Sequence, residues 1–128
     1  MYTLIARWTI KDGCAPPACV ALRQLARAVR KHEPETLAYL VHLPDPKGLS
    51  LPTQSPLAVT FFEVYRNKQA FLAHLNGKIF QDFVARHRDL FLTTTATGAD
   101  GKPVVSPFVL VDALRREAGF VRRAAATE

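Results

Sequence analysis

Four apolar stretches along the chain predict β-strands, over residues 2–10, 36–43, 57–65 and 104–113. Each stretch is rich in β-branched, aliphatic and aromatic side chains, which pack well on a pleated sheet. In the first stretch, alternate positions form one nearly apolar face and one face of mixed character. The chain therefore contains the strands of a sheet, separated by segments with a different pattern.

Two longer segments carry apolar residues at the spacing of an α-helix. The first begins at a Pro-Pro pair, which suits an initial helical turn, and it ends before Pro34. The second is predicted from residue 68 to about residue 90, with Asn67 as its N-cap and a kink at residues 76–77.

This order of elements predicts an α+β fold of the ferredoxin-like type, βαββαβ, with an antiparallel sheet. The helices cover one face of such a sheet, and we expect a second copy of the chain to cover the other. Residues 1–111 are assigned to this domain. Residues 112–128 are predicted as a short C-terminal helix, with Asp112 as its N-cap, followed by a tail. The proline-rich segment 44–56 is predicted as a loop that overhangs a pocket.

Composition narrows the classes of partner. The chain has 128 residues and a formal net charge of +6, which permits binding to acidic molecules. Its basic residues are not interleaved with stacking aromatics, so we interpret them as a solvated face and expect no nucleic acid. No stretch approaches the roughly 18 apolar residues of a membrane span, and no leader pattern occurs, so we expect a cytoplasmic protein. Cys14 and Cys19 match no zinc or redox spacing and are predicted to be reduced thiols.

A small group of polar and aromatic residues stands in otherwise apolar surroundings. Glu63 shares one strand face with Tyr65, and a carboxylate there needs a partner or a shifted pKa. Arg7 is the predicted partner in a structural ion pair, the alternative being that Glu63 is a catalytic base. His74 lies at the edge of the buried stripe of its helix. It is predicted either to act as a general base or to bridge the helix to the strand of Glu63. Tyr39, Tyr65 and His74 together are predicted to form a pocket.

Three stretches carry a resemblance to a known family: ARWTIKDG, HEPETLAYLV and FFEVYRNKQAFLAHLNGKIFQDF. They resemble the antibiotic biosynthesis monooxygenase (ABM) domain, within the dimeric α+β barrel superfamily. The third is the most specific, with a strand ending in Glu-x-Tyr, a short turn, a helix with Ala-Phe and then His, and a downstream Phe. The resemblance covers roughly residues 1–111. It implies a homodimer with a pocket in each subunit, between the helices and the sheet.

The resemblance also implies a chemistry: oxidation of a small phenolic or quinol-type aromatic substrate by molecular oxygen, with no bound cofactor and no metal. For such a reaction we predict that His74 and Tyr65 are catalytic, and that the substrate is bound by Tyr39, Arg7, Glu63, Phe71 and Phe83. Two alternatives stay open, a non-catalytic dimeric module that binds a small ligand or serves in stress, and an isomerase or lyase on the same fold. Haem degradation fits less well. That branch needs an Asn in the first strand and a haem-ligating His late in the second helix, and the corresponding positions here fall near Arg7 or Trp8 and near Val84.

Overall fold

The computed structural model describes residues 1–106 and 108–122, with the backbone alone at 94–96 and 104–106. Within these described residues, six strands and three helices follow one another. The strands are β1 (Tyr2–Thr9), β2 (Thr36–His42), β3 (Ala58–Tyr65), β4 (Thr94–Thr97), β5 (Pro103–Ser106) and β6 (Leu110–Leu114). The helices are α1 (Ala15–His32), α2 (Lys68–Asn76) and α3 (Lys78–His87), and a short 3₁₀ turn at Arg88–Leu90 follows α3.

The main sheet has four strands in the order β2-β3-β1-β6, and every neighbouring pair is antiparallel. This is the strand order of a ferredoxin-like βαββαβ fold, so the predicted α+β class is confirmed. The second sheet is a separate hairpin of β4 and β5. None of the described helices has the length and apolar character needed to cross a membrane.

The core lies between the helices and one face of the main sheet. Trp8 is at its centre, with its ring centroid 4.3 Å from that of Phe61 and 4.8 Å from that of Phe108. Alternate positions of β1 and β3 point into this layer because side chains alternate across a strand. The buried aliphatic residues of α1 complete it, namely Ala18, Ala21, Leu22, Leu25 and Val29.

The junction between α2 and α3 confirms the kink predicted at residues 76–77. The Asn67 side chain accepts a hydrogen bond from the Ala70 amide at 2.9 Å, so it caps α2 as predicted. At the other end of α2, Gly77 separates the two helices. A Cβ atom on Gly77 would lie 2.6 Å from the Ala73 carbonyl oxygen, so the turn requires a residue without one.

The C-terminal part of the sequence prediction is wrong in two respects. The stretch predicted as one strand over residues 104–113 divides into β5 and β6, which belong to different sheets; residue 107 lies outside the described residues. The helix predicted at Asp112 is replaced by strand, because β6 pairs with β1 from Leu110 to Leu114. Among residues 115–122 no helix is described, and 123–128, the predicted tail, lie outside the described residues.

Candidate active site

A buried histidine and a carboxylate form the centre of the site. His74 is only 5% exposed, and its Nδ1 lies 2.6 Å from Oε1 of Glu33. Glu33 is the C-cap of α1, because Pro34 ends that helix. A carboxylate can only accept a hydrogen bond, so the neutral imidazole donates from Nδ1. Nε2 is then the nitrogen with a lone pair, the one that can take up a proton.

A second hydrogen-bonded pair lies beneath His74 on β3. The Tyr65 hydroxyl donates to Oε1 of Glu63 at 2.5 Å, and both side chains are buried. Burial raises the pKa of Glu63, while the Tyr65 hydrogen bond and the nearby His74 act against that rise. Burial, together with the Glu63 carboxylate, raises the pKa of Tyr65, so the phenol stays protonated. Glu63 therefore has its partner two residues along its own strand.

Tyr39 joins the cluster from β2. It lies opposite Glu63 in the β2–β3 register, and its ring centroid is 5.4 Å from that of His74. Burial raises the pKa of Tyr39 well above its usual value, and the Glu63 and Glu33 carboxylates add to the effect. The ring of Tyr65 lies 5.6 Å from that of His74. The structure thus brings Tyr39, Tyr65 and His74 together as a packed cluster.

Two other predicted site residues, Phe71 and Phe83, have no ring contact with His74 among the described contacts. Phe71 packs its ring on Tyr65 at 5.3 Å, at the side of the cluster. Phe83 belongs to the core around Trp8, with a ring separation of 5.6 Å. Among the described ring contacts, the aromatic side chain from α3 that touches His74 is Phe80, at 5.4 Å.

The predicted ion pair between Arg7 and Glu63 is wrong. In the β1–β3 register Arg7 lies opposite Thr60, whereas Glu63 lies opposite Leu4. The two side chains therefore lie on opposite faces of the sheet. Arg7 Nη1 instead lies 2.5 Å from Oδ2 of Asp112, on the face away from the helices.

An open cavity of about 650 Å³ lies beside the Glu33–His74 pair, between the α1–β2 turn and the helices α2 and α3. Both members of the pair line it, together with apolar atoms of Pro34, Ala70, Ala73 and Ile79. Tyr39 and Tyr65 do not line this cavity. They pack against the ring of His74, which does line it.

A second cavity, of about 520 Å³, lies on the other side of Glu33. Tyr39 borders it, together with Val29 and the exposed residues Arg27 and Arg30 of α1. Glu33 therefore lines both cavities. Among the described residues, no group of three or more His, Cys, Asp or Glu side chains is placed to hold a metal ion.

Sequence reasoning missed Glu33 and Phe80. Glu33 is 41 residues from His74, so no spacing rule connects the two. One signal was available: Glu33 comes directly before the proline that ends α1, where the chain turns into the sheet beside the histidine helix. A buried histidine needs a hydrogen-bond partner, and a carboxylate at that turn is a candidate for it.

Comparisons with known proteins give one family and one fold. A family model described as antibiotic biosynthesis monooxygenase matches residues 1–86. The structure of PA3566 from Pseudomonas aeruginosa is similar, with 25% identity and a TM-score of 0.65, over 91% of this chain and 94% of that one. A crystal structure of an antibiotic biosynthesis monooxygenase matches with 19% identity and a TM-score of 0.67, over 92% of this chain and 100% of that one.

Rv0793 from Mycobacterium tuberculosis shares the fold as well. Its identity is 18% and its TM-score 0.63, over 92% of this chain and 98% of the other. A search of curated proteins found none that matches this chain.

Proposed function

Because the chain belongs to the antibiotic biosynthesis monooxygenase family, we propose that it oxidises a small phenolic or quinol-type aromatic substrate with molecular oxygen and without a bound cofactor. The family match supports a monooxygenase-type role. The observation in this chain that carries the proposal is the buried Glu33–His74 pair at the wall of an apolar cavity. Such a pair can remove a proton from a phenol held in the cavity.

The first step in this proposal is proton transfer. Nε2 of His74 takes the proton of the substrate hydroxyl and leaves an electron-rich phenolate. The Glu33 carboxylate, held on Nδ1, stabilises the imidazolium that forms. General-base catalysis of this kind contributes roughly 10²- to 10⁴-fold to a rate. The low exposure of both side chains strengthens the interaction between the two charges.

The second step is oxidation by oxygen. The phenolate transfers one electron to O₂, and the resulting superoxide and phenoxyl radical combine to form a C–O bond at the para carbon. The peroxide then loses the para C–H proton as its O–O bond breaks. One oxygen atom stays on the substrate as the quinone carbonyl, and the other leaves as water after it takes up the two protons released in the reaction. The substrate loses four electrons and O₂ gains four.

The remaining members of the cluster support His74. Tyr39, Tyr65 and Phe80 surround the imidazole at ring separations of 5.4 to 5.6 Å, and Glu63 fixes the Tyr65 hydroxyl. We assign these residues a positioning role, because the ring must hold one orientation for Nε2 to meet the substrate. The role predicted for Tyr65 as a catalytic residue is thereby replaced with a supporting one.

The proposal includes a homodimer. The sheet face opposite the helices exposes a row of apolar side chains across three strands, Leu40 on β2, Phe62 on β3 and Ile5 on β1. Leu110 and Leu114 lie on the same face of β6, on either side of Asp112, and are 40% and 44% exposed. A second copy of the chain can bury this face by packing sheet against sheet.

Oxygen consumption tests the proposed reaction. The purified protein is incubated with a panel of naphthols and anthrones, and the products are analysed after reaction in ¹⁸O₂. We expect one labelled oxygen atom in the quinone and one in water. His74→Ala should lose this activity, whereas His87→Gln, a helical histidine that does not line the cavity, should retain it.

Three results would contradict the proposal: no oxygen uptake with any compound, uptake that His74→Ala leaves undiminished, or conversion that proceeds without oxygen. Binding without conversion would indicate the non-catalytic module instead. Conversion under anaerobic conditions would indicate an isomerase or lyase.

A further inference from the structure

Six ionisable side chains line the cavity beside Glu33–His74, and with the histidines His32 and His74 counted as neutral their formal charge is negative, although the whole chain has a formal net charge of +6. Three carboxylates line it, those of Glu33, Glu35 and Asp82. Among the described lining residues, Lys78 is the one lysine or arginine. The basic character of the protein is therefore not present at this cavity.

Each of these charges already has a partner. Nζ of Lys78 lies 2.6 Å from Oδ2 of Asp82, one helical turn away on α3. Glu35 is bound by the Arg66 guanidinium, and Glu33 by His74. The hydrogen bond from Lys78 lowers the pKa of Asp82, so this carboxylate stays ionised. An anionic group that enters the cavity thus meets three carboxylates and, among the described lining residues, no unpaired lysine or arginine.

The rest of the wall is suited to an uncharged ring. Ala70, Ala73 and Gly77 are small residues that line the cavity at the helix junction, and Ile79 adds an apolar side chain. A volume of about 650 Å³ is within the range that small-molecule sites typically have. A ring system of two or three fused rings fits such a space without a charged anchor.

Building on the proposed function, we infer that this cavity selects uncharged aromatic substrates and discriminates against aromatic substrates that carry a carboxylate or sulfonate. The selectivity comes from repulsion: an anion beside Glu33 and Asp82 meets like charges, and Lys78, the lysine that lines the cavity, is already bound by Asp82. The second cavity differs, since it has Arg27 and Arg30 at its edge.

A matched pair of ligands tests the inference by binding alone, without oxygen. The neutral 2-naphthol and the anionic 6-hydroxy-2-naphthoate are titrated anaerobically by calorimetry at about pH 8, where an ordinary histidine is neutral. We expect 2-naphthol to bind with a Kd below about 1 mM. In competition with 2-naphthol, the naphthoate should bind with a Kd at least about tenfold higher than that of 2-naphthol, because of like-charge repulsion.

Variants identify the cause of the selectivity. Asp82→Asn removes one negative charge and releases Lys78, so the ratio of the two affinities should fall about tenfold. The matched control is Asp89→Asn, since Asp89 is exposed and does not line the cavity; the ratio should stay as in the unmodified chain. Because the readout is a ratio, a general loss of stability in either variant does not produce the expected result.

Equal displacement by the two ligands would overturn the inference, as would failure of 2-naphthol to bind. The result is distinct from that of the oxygen assay. Selective binding without any oxygen uptake would remove the proposed reaction and leave the charge selectivity standing. Turnover of carboxylated phenols as fast as neutral ones would support the proposed reaction and overturn the charge selectivity.

Discussion

Nδ1 of His74 lies 2.6 Å from Oε1 of Glu33, which connects the last turn of α2 to the end of α1. The contact is well shielded, with 4% of the His74 side chain and 18% of the Glu33 side chain exposed. Hydrogen bonds to charged groups are stronger in such surroundings than in water. The pair therefore fixes both the position of the ring and the nitrogen that carries its proton.

Changing Glu33 tests whether this carboxylate positions the proposed base. In Glu33→Gln we expect kcat for phenol oxidation to fall at least about tenfold, because the carboxylate no longer stabilises the imidazolium. KM should change little, since the cavity wall keeps its shape. The ¹⁵N NMR signals of His74 should show a mixture of the two neutral tautomers in place of the Nδ1–H form.

The control for this change is Glu117→Gln, because Glu117 is exposed and far along the chain from the site. An equal effect on kcat in both variants would contradict the positioning role. So would a Glu33→Gln protein that keeps the tautomer and the rate of the unmodified chain.

Removal of the Tyr65 hydroxyl tests the second buried pair. Tyr65→Phe leaves the Glu63 carboxylate, which is 4% exposed, without its hydrogen-bond donor. An unsatisfied buried polar group costs about 1–3 kcal/mol, so the free energy of unfolding in urea should fall by that amount. Tyr2→Phe is the control, because the Tyr2 hydroxyl has no hydrogen bond among the described contacts, and its cost should stay below about 0.5 kcal/mol. Equal costs would show that the pair contributes nothing to stability.

The raised pKa of Glu63 has a consequence for pH dependence. Burial makes the ionised form unfavourable in the folded state, so the native protein holds this proton to higher pH than the unfolded chain does. The contribution of Glu63 to stability is therefore greatest at low pH. It is lost as the pH rises from the ordinary glutamate value of 4.5 through the raised one.

Glu63→Gln should remove this loss, since glutamine has no proton to release and can still accept from Tyr65. We expect the Tm of the variant, relative to the unmodified chain, to rise between about pH 4 and pH 8, across the range where a glutamate ionises. A difference in Tm that is constant with pH, or that falls as the pH rises, would contradict the assignment. Glu117→Gln at an exposed position provides the baseline.

The backbone of Gly77, which lines the cavity, lies so close to the Ala73 carbonyl oxygen that a larger residue should be destabilising. In Gly77→Ala the new Cβ would lie 2.6 Å from the Ala73 carbonyl oxygen, so α2 and α3 must move apart. We expect a loss of about 1–3 kcal/mol in the free energy of unfolding, as for other substitutions that overpack a tight site. Gln69→Ala, an exposed change on α2, should cost less than about 0.5 kcal/mol. Similar costs for the two variants would contradict the requirement for glycine.

The parts of the fold that sequence reasoning predicts are those governed by local pattern. The β-branched and aromatic stretches predict β1, β2 and β3. The apolar spacing predicts the helices, with Asn67 as an N-cap and Gly77 at the break between α2 and α3. The C-terminal strand is different. Asp112 has the residue type of a helix cap, but its segment pairs with β1, and its carboxylate meets Arg7 from 105 residues away. Pairing at that distance in sequence overrides a local propensity.

The candidate site divides in the same way. Glu63, Tyr65 and His74 are neighbours in sequence, on a strand and the helix after it, so their meeting follows from the βα unit. Glu33 reaches the site through the packing of α1 beside α2, and no spacing in the chain encodes that contact. The predicted pairing of Arg7 with Glu63 is wrong because the register of β1 with β3 places the two residues on opposite faces of the sheet.

The uncovered face of the sheet gives the last prediction. Leu40 is 51% exposed at the centre of β2, beside Phe62 and in line with Ile5, so the isolated chain leaves an apolar row in water. We expect sedimentation equilibrium to give twice the chain mass of 14.2 kDa. Leu40→Glu should convert the protein to single chains, because two buried glutamates would meet across the interface without partners. The variant should keep its fold, since position 40 is exposed in the single chain. Leu49→Glu, at a loop position that is 85% exposed, should stay dimeric, and a single-chain mass for the unmodified protein would contradict the proposed assembly.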